Sequence, residues 1–244
     1  MLLKYDFHMH SCLSPCGDAE MTPANIAGMA KIAGYDVVAL SDHNSVKNCP
    51  AFLAACHEYD IIGIPAMELN TREEVHILCL FPDLESAHKF DDYVYTRLPD
   101  IENKPNFFGE QLIMDEDGDI IGSEKKLLVN AVDIGVYEVS ALVNDFGGVA
   151  IAAHLDRDSF SLLSNLGFYD SSLGFNVVEF TCNADASKII RANPEIKGVR
   201  FVVNSDAHKL SSIPDASRVI EVSSTSTFDI IKAIKAGKHI PELI

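Results

Sequence analysis

Basic side chains are scarce in this chain: 19 Lys and Arg stand against 36 Asp and Glu, a formal net charge of −17. That balance argues against long nucleic acid and anionic membranes as partners, since both need a basic surface. An anionic substrate is still allowed, because bound divalent cations reverse the field inside one cleft. No apolar run approaches the roughly 18 residues that span a bilayer. The first residues, Met1-Leu2-Leu3-Lys4-Tyr5-Asp6-Phe7-His8, are too few and too polar for a secretory h-region. A glycine-rich phosphate cradle is missing, so no nucleotide cofactor is expected. Nor is there a linker or an internal repeat, which points to one domain over 1–244, a size common for barrels. The cysteines (Cys12, Cys16, Cys49, Cys56, Cys79 and Cys182) are scattered. Cys12 and Cys16 are close, but no second pair at zinc-finger spacing accompanies them. Reduced thiols in the cytoplasm are the expectation, with Cys79 and Cys182 buried in apolar runs.

What is present is a rhythm. The hydrophobic fraction of 48% suits a globular chain. Strand-like runs at 3–7, 35–41, 61–67, 75–81, 149–153, 177–181, 201–204 and 219–222 alternate with helical stretches. Thr22-Pro23 opens a helix that Gly34 stops, and Pro50 marks the regular start of the next. Strand–helix alternation predicts parallel βα units, and seven or eight of them predict an α/β barrel. Residues 104–124 break the pattern as an insertion. Asp115-Glu116-Asp117-Gly118-Asp119 lies between two apolar pieces and predicts a hairpin turn. A calcium loop counted from Asp115 would need Glu at Lys126, so a solvated turn is expected.

The histidines carry the chemical signal. His8, His43, His154 and His208 sit at or just past the carboxyl ends of predicted strands, His10 follows His8 by two, and His76 lies in or beside the fourth strand. Active sites of βα barrels are built at that rim. Residues two apart on a strand share a face, so Asp6, His8 and His10 point together, as do Asp206 and His208. Glu68 ends its strand in the same way. One such histidine alone is more often a satisfied polar residue than a ligand. Six with carboxylates on successive strand ends predict a metal site. His57, His88 and His239 lack this pattern and are read as surface residues.

The motifs D-F-H-M-H (Asp6–His10), G-D-A-E-M-T-P (Gly17–Pro23), L-S-D-H-N (Leu40–Asn44), A-H-L (Ala153–Leu155) and N-S-D-A-H (Asn204–His208) together resemble the PHP superfamily, named for polymerase and histidinol phosphatase. The resemblance implies a distorted (β/α)7 TIM-like barrel with two to three divalent transition metals at its rim. It implies His8, His10, Glu68 and Asp206 on a first ion. Glu68 would bridge to a second with His76 and His154, and Asp18, His43 and His208 would hold a third. Some members have His at the position of Asp18. Residues 104–124 match no family motif.

Mixed imidazole and carboxylate donors suit Zn, Mn or Fe. Two ions sharing Glu68 would sit roughly 3.5–4 Å apart and lower the pKa of a shared water to about 7. Glu68, Asp42 and Arg157 are the candidate catalytic residues. Asp42 and Asp6 each precede a histidine, and either can orient an imidazole or simply cap a strand end. Arg157 can clamp phosphate or pair with Asp156 or Asp158, and Lys209 is treated alike. The leading expectation is a cytoplasmic phosphoesterase that hydrolyses a small phosphate monoester through metal-activated hydroxide. Its expected partner is a small phosphorylated substrate, with no membrane and no long nucleic acid. The alternatives are a metal-dependent nuclease or oligonucleotide hydrolase and a non-catalytic metal-binding module.

Overall fold

The computed structural model of the chain describes residues 1–237, so His239 lies outside the described residues. β1 (Leu2–Asp6) leads through α1 (Pro23–Ala33), β2 (Val37–Leu40), α2 (Cys49–Glu58), β3 (Ile62–Asn70) and β4 (His76–Leu80) to α3 (Leu84–Tyr95). The expected insertion holds α4 (Pro105–Phe108) and the strands β5 (Leu112–Met114) and β6 (Ile120–Ser123). Then come α5 (Val136–Asp145), β7 (Val149–Ala152), α6 (Leu162–Leu166), β8 (Val177–Thr181), α7 (Ala186–Ala192), β9 (Arg200–Asn204), β10 (Val219–Glu221) and α8 (Thr227–Ala236).

Local chemistry sets these boundaries. Thr22 Oγ1 accepts from Asn25 N, Pro23 opens α1, and Gly34 takes the left-handed stop at φ 85°. α2 begins at Cys49 with Pro50 in its first turn, because a proline lacks the N–H that an earlier turn would need. The Asp-rich turn is a hairpin as expected. Asp115 Oδ1 accepts from Asp117 N at 3.1 Å and Asp119 N at 2.8 Å, which commits that carboxylate to the backbone. Among the described residues no helix is long and apolar enough to cross a membrane.

Eight strands form one curled sheet in the order β10-β1-β2-β3-β4-β7-β8-β9, the distorted barrel that the family resemblance implies. An isolated parallel bridge between Met9 and Ala207 joins the segments that follow β1 and β9 at the rim. The sheet is not wholly parallel, which corrects the expectation of uniform βα units. β4 runs antiparallel to both neighbours, and β10 antiparallel to β1. Only residues 71–75 separate β3 from β4. That is a turn, far short of the dozen or more residues a parallel crossover requires.

Alternate residues divide the core. On the inward face Leu3, Tyr5, Val37, Ala39, Ile64, Ala66, Leu78, Val177 and Val202 pack with Ile230, Ile231 and Ile234 of α8. On the outward face Val38, Leu40, Cys79, Ala150 and Phe180 pack under α1, α2, α3 and α5. Cys79 is buried as expected, whereas Cys182 is exposed because it falls one residue beyond β8.

Candidate metal centre

The inward rows change character as they climb. Ile64 and Ala66 lead to Glu68, Leu80 and Leu78 lead to His76, and Val177 leads to Glu179. Side chains two apart share a face, so a deep apolar row ends in an ionisable group at the rim. Because β4 is antiparallel, its first residue, His76, pairs with Asn70 at the end of β3. His8 and His10 follow β1, His43 follows β2, His154 follows β7, and Asp206 and His208 follow β9. His154 and Asp206 adopt φ of 29° and 52°, a region costly for residues other than glycine. Such strain persists where surrounding bonds over-determine it. Glu179 Oε2 accepts from His154 N at 2.8 Å and supplies one such bond.

Glu68, 1% exposed, is the hub. Its Oε1 lies 2.9 Å from His76 Nδ1, 3.0 Å from His154 Nε2 and 3.2 Å from His8 Nε2. Its Oε2 lies 3.1 Å from His43 Nδ1 and 3.3 Å from His10 Nε2. Asp206 Oδ1 is 3.5 Å from His8 Nε2 and 3.3 Å from His10 Nε2. Three groups bring ligand atoms within 4.8 Å of one another: His8 with His10 and Glu68, His43 with Glu68 and His76, and His10 with His43 and His208.

The outer nitrogens fix which way these rings face. His8 Nδ1 donates to Glu179, 3.0 Å from each oxygen. Ser14 Oγ donates to Asp42 Oδ1 at 2.7 Å and accepts from His10 Nδ1 at 3.0 Å. The Nε2 atoms of His8 and His10 face each other at 3.1 Å. Glu68 and Asp206 add carboxylate oxygens to the same space. Asp206 Oδ1 and His154 Nδ1 are buried without an aligned hydrogen bond. Buried imidazoles and carboxylates converging on one space are the donor set that a divalent metal takes. The residues therefore fit a metal centre.

Titration behaviour follows from the same contacts. Burial alone would lower His8, but Glu179, Asp206 and Glu68 raise it well above the ordinary imidazole value. His10, likewise against burial, is raised by Asp206 and Glu68 to about 9. Burial would raise Glu68, yet His76, His8 and His43 hold it well below the usual carboxylate range. Burial dominates at His76 and His208, which fall to about 4 and about 3.

Not every expected residue joins the cluster. Asp18 is exposed, and its Oδ1 accepts from Glu20 N at 3.0 Å. Asp42 touches no imidazole. It binds Ser11 N and Oγ at 2.7 and 2.6 Å and reaches His10 only through Ser14. Asp6 accepts from His8 N and Ser205 N and likewise binds no imidazole. Arg157 stands at the rim with Nη2 2.5 Å from Asp206 Oδ2, not on Asp156 or Asp158. Lys209 is exposed beside His208, and His57 and His88 are on the surface as expected. Sequence reasoning missed Glu179 and Ser14. Glu179 had a signal: a lone acid on the inward row of an otherwise apolar strand, V-V-E-F-T.

The PHP domain family model matches residues 6–93. No curated protein matches the chain. Endonuclease Q from Pyrococcus furiosus, a lesion-specific endonuclease, shares the fold at 20% identity and a TM-score of 0.68, over 99% of this chain and 58% of its own. This chain therefore spans well under two thirds of that enzyme. A protein assigned as a metal-dependent phosphoesterase from Bifidobacterium adolescentis is 18% identical with a TM-score of 0.55, covering 84% of this chain and 87% of its own. One expectation is corrected here, that of a small phosphorylated partner and no long nucleic acid. Endonuclease Q is seen bound to a 27-mer duplex with an abasic lesion at the active site, its fold matching 97% of this chain at 20% identity, a TM-score of 0.69 and 57% of its own length. The expectation rested on net charge, and net charge does not set the field at one cleft. The motifs, the match of the PHP domain model to residues 6–93, just over a third of the chain, and the rim cluster agree with one another.

Proposed function

We propose that this chain is a metal-dependent phosphodiester hydrolase acting on nucleic acid. The observation that carries the reading is the convergence of Glu68, Asp206 and six imidazoles at the mouth of a barrel. The fold shared with a DNA-cleaving enzyme over 99% of the chain supports the substrate class. His8, His10, Glu68 and Asp206 would hold one ion, Glu68 with His76 and His154 a second, and His43 and His208 would contribute to a third. The donors suit Zn, Mn or Fe. Such ions would supply a nucleophile at neutral pH and neutralise charge on phosphoryl oxygens.

The chain's own groups do the rest. Glu179 and Ser14 keep His8 and His10 with their Nε2 lone pairs inward, so the ligands need no reorganisation. Asp42 is a positioning residue that acts through Ser14. Arg157, half-exposed and anchored by Asp206, turns a guanidinium fork toward a non-bridging phosphate oxygen. The hairpin β5–β6 buttresses the rim. Leu112 N donates to Cys12 O at 2.9 Å and Met114 N to Asn48 Oδ1 at 2.9 Å, which favours reading 104–124 as an insertion within one domain. The free state of all six cysteines supports a cytoplasmic setting.

The test is an assay of metal-reconstituted protein on labelled single-stranded and duplex oligonucleotides, with and without an abasic site, beside an aryl phosphate monoester. Chelator-sensitive scission of an oligonucleotide, abolished by Glu68→Gln, is the expected result. Turnover of the monoester with every oligonucleotide intact would overturn the reading.

A further inference from the structure

The rim carries an aromatic side chain that cannot hold an ion and is itself held under strain. Phe160 lies in the segment between β7 and α6 and takes φ 56°, the left-handed region that a bulky side chain rarely adopts. Its ring stacks on the imidazole of His76, with centroids 4.8 Å apart and planes 22° from parallel. His76 Nδ1 in turn lies 2.9 Å from Glu68 Oε1. Phe160 is therefore one ring away from the hub of the centre, yet 40% of it is exposed. Burial of apolar surface does not account for a ring left so far in water.

The backbone around Phe160 is fixed. His76 N donates to Phe160 O at 2.8 Å, and Arg157 N donates to His154 O at 2.9 Å. Ser161 Oγ donates to Arg157 O at 2.8 Å. Asp156 accepts from Thr181 N at 2.8 Å and from its hydroxyl at 2.5 Å. Leu155 and Ser161 are buried, whereas residues 157–160 between them are exposed. The surrounding bonds hold the strain, and the ring is presented by a tethered arc. Along this arc three chemistries follow one another at intervals of three residues. His154 Nε2 reaches Glu68 at 3.0 Å, Arg157 stands on Asp206, and Phe160 covers His76. A ligand for an ion, a guanidinium for a phosphate oxygen and a flat face for a base are what one nucleotide needs.

We propose that Phe160 is a substrate-binding residue whose ring stacks on an unstacked base of the nucleotide at the metal centre. This rests on the proposed action on nucleic acid and deepens it, by naming a single-stranded segment as the form bound. In a regular duplex both faces of a base are covered by its neighbours, so a free face is offered only where stacking is broken. Every base has a π-face, so such a contact tolerates sequence.

The chain contains no tryptophan, so Phe160→Trp places a single indole on the arc. The experiment titrates this full-length, metal-loaded variant with cleavage-resistant phosphorothioate strands. One strand carries bases, one of the same length is built from abasic units, and one is paired in a duplex. Emission is expected to be quenched by the base-bearing single strand alone. Anisotropy of the labelled strands gives the affinities of Phe160→Ala, Phe160→Leu and Phe160→Tyr. Losing one base–aromatic stack weakens binding by about 5–150-fold. The alanine and leucine variants should show that loss on the base-bearing strand and none on the abasic one, and the tyrosine variant should stay near the wild type. Leucine keeps an apolar cover on His76, so Phe160→Leu should also hold wild-type metal equivalents. Wild-type affinity in Phe160→Leu, equal losses on both single strands, or equal quenching by the duplex would overturn the proposal. So would loss of metal in Phe160→Leu, which would make the ring a support for His76 alone. Any of these beside metal-dependent scission by the wild type leaves the nucleic-acid reading standing, whereas a wild type that binds neither single strand overturns both.

Discussion

Replacing Glu179 with Gln tests whether the ring orientation is as important as the ligands themselves. Glu179 is 1% exposed and acts only as an acceptor. It takes His8 Nδ1 at 3.0 Å, His154 N at 2.8 Å and Asn204 Nδ2 at 2.6 Å. A glutamine keeps the shape but turns one oxygen into an NH2 group facing donors. One buried donor then goes unmatched, a cost of about 1–3 kcal/mol. For a chain of this size that lowers the melting temperature by roughly 2–4 °C per kcal/mol. The second effect falls on metal. With no carboxylate to hold its Nδ1 proton, His8 can protonate Nε2 instead and withdraw its lone pair from the site. Loss of an orienting carboxylate typically costs about 10–100-fold in metal affinity. The assay is competition against a chromophoric chelator, run beside urea denaturation of the metal-free protein. Glu179→Gln should fail on both, and Glu179→Asp should recover more metal affinity because it restores the charge. Wild-type affinity in Glu179→Gln, with only stability reduced, would show that the carboxylate is structural and that the ring-orientation argument is wrong.

Further outcomes follow from other contacts. Glu68→Gln should lower metal stoichiometry by more than one equivalent, because both of its oxygens face imidazoles, while His57→Ala on the exposed face of α2 should leave metal content unchanged. Gly17→Ala should distort the 11–17 loop, since the new Cβ would meet Ser11 O at 2.2 Å; calorimetry should show a loss of about 1–3 kcal/mol, as for other overpacked sites. Burial raises the Asp91 carboxyl above its ordinary value despite its bond from Val46 N. Its folded form thus binds the proton more tightly than its unfolded form, and its contribution to stability falls as pH rises from the unfolded toward the folded pKa. Asp91→Asn should flatten that decline, read as urea midpoints at about pH 4 and about pH 7.

The sequence made the rim legible because barrel chemistry is written at strand ends. His8, His10, His43, Glu68, His154, Asp206 and His208 all stand where alternation ends, and the structure brings them together. His76 was legible as a residue but not as a geometry. Its position at the start of β4 serves the same rim only because β4 is antiparallel, and periodicity carries no strand direction. Glu179 was hidden by habit, since an acid inside V-V-E-F-T looks like an outward residue until the register puts Val177 and Glu179 on the inward row. Asp18 shows another limit. Motif spacing assigns a loop residue by its number, but Asp18 is exposed and its Oδ1 is taken by Glu20 N.

Charge is the other place where composition and structure part. The formal −17 counts every carboxylate equally. Yet Asp6, Asp42, Glu68, Asp91, Glu124, Glu179 and Asp206 are all buried. Asp6, Asp42 and Asp91 are tied to backbone N–H groups, Glu68, Glu179 and Asp206 stand against imidazoles, and Glu124 pairs with Lys47. These groups do not present a repelling surface to a polyanion. Glu68 and Asp206 do the opposite, because buried carboxylates among imidazoles draw divalent cations, and a bound cation is often the largest local charge in a site. Arg157 adds its charge at the same mouth. The acidity that seemed to exclude nucleic acid is in part the material of the proposed metal centre, so the sign of the field at the cleft follows from where the acids sit and not from how many there are.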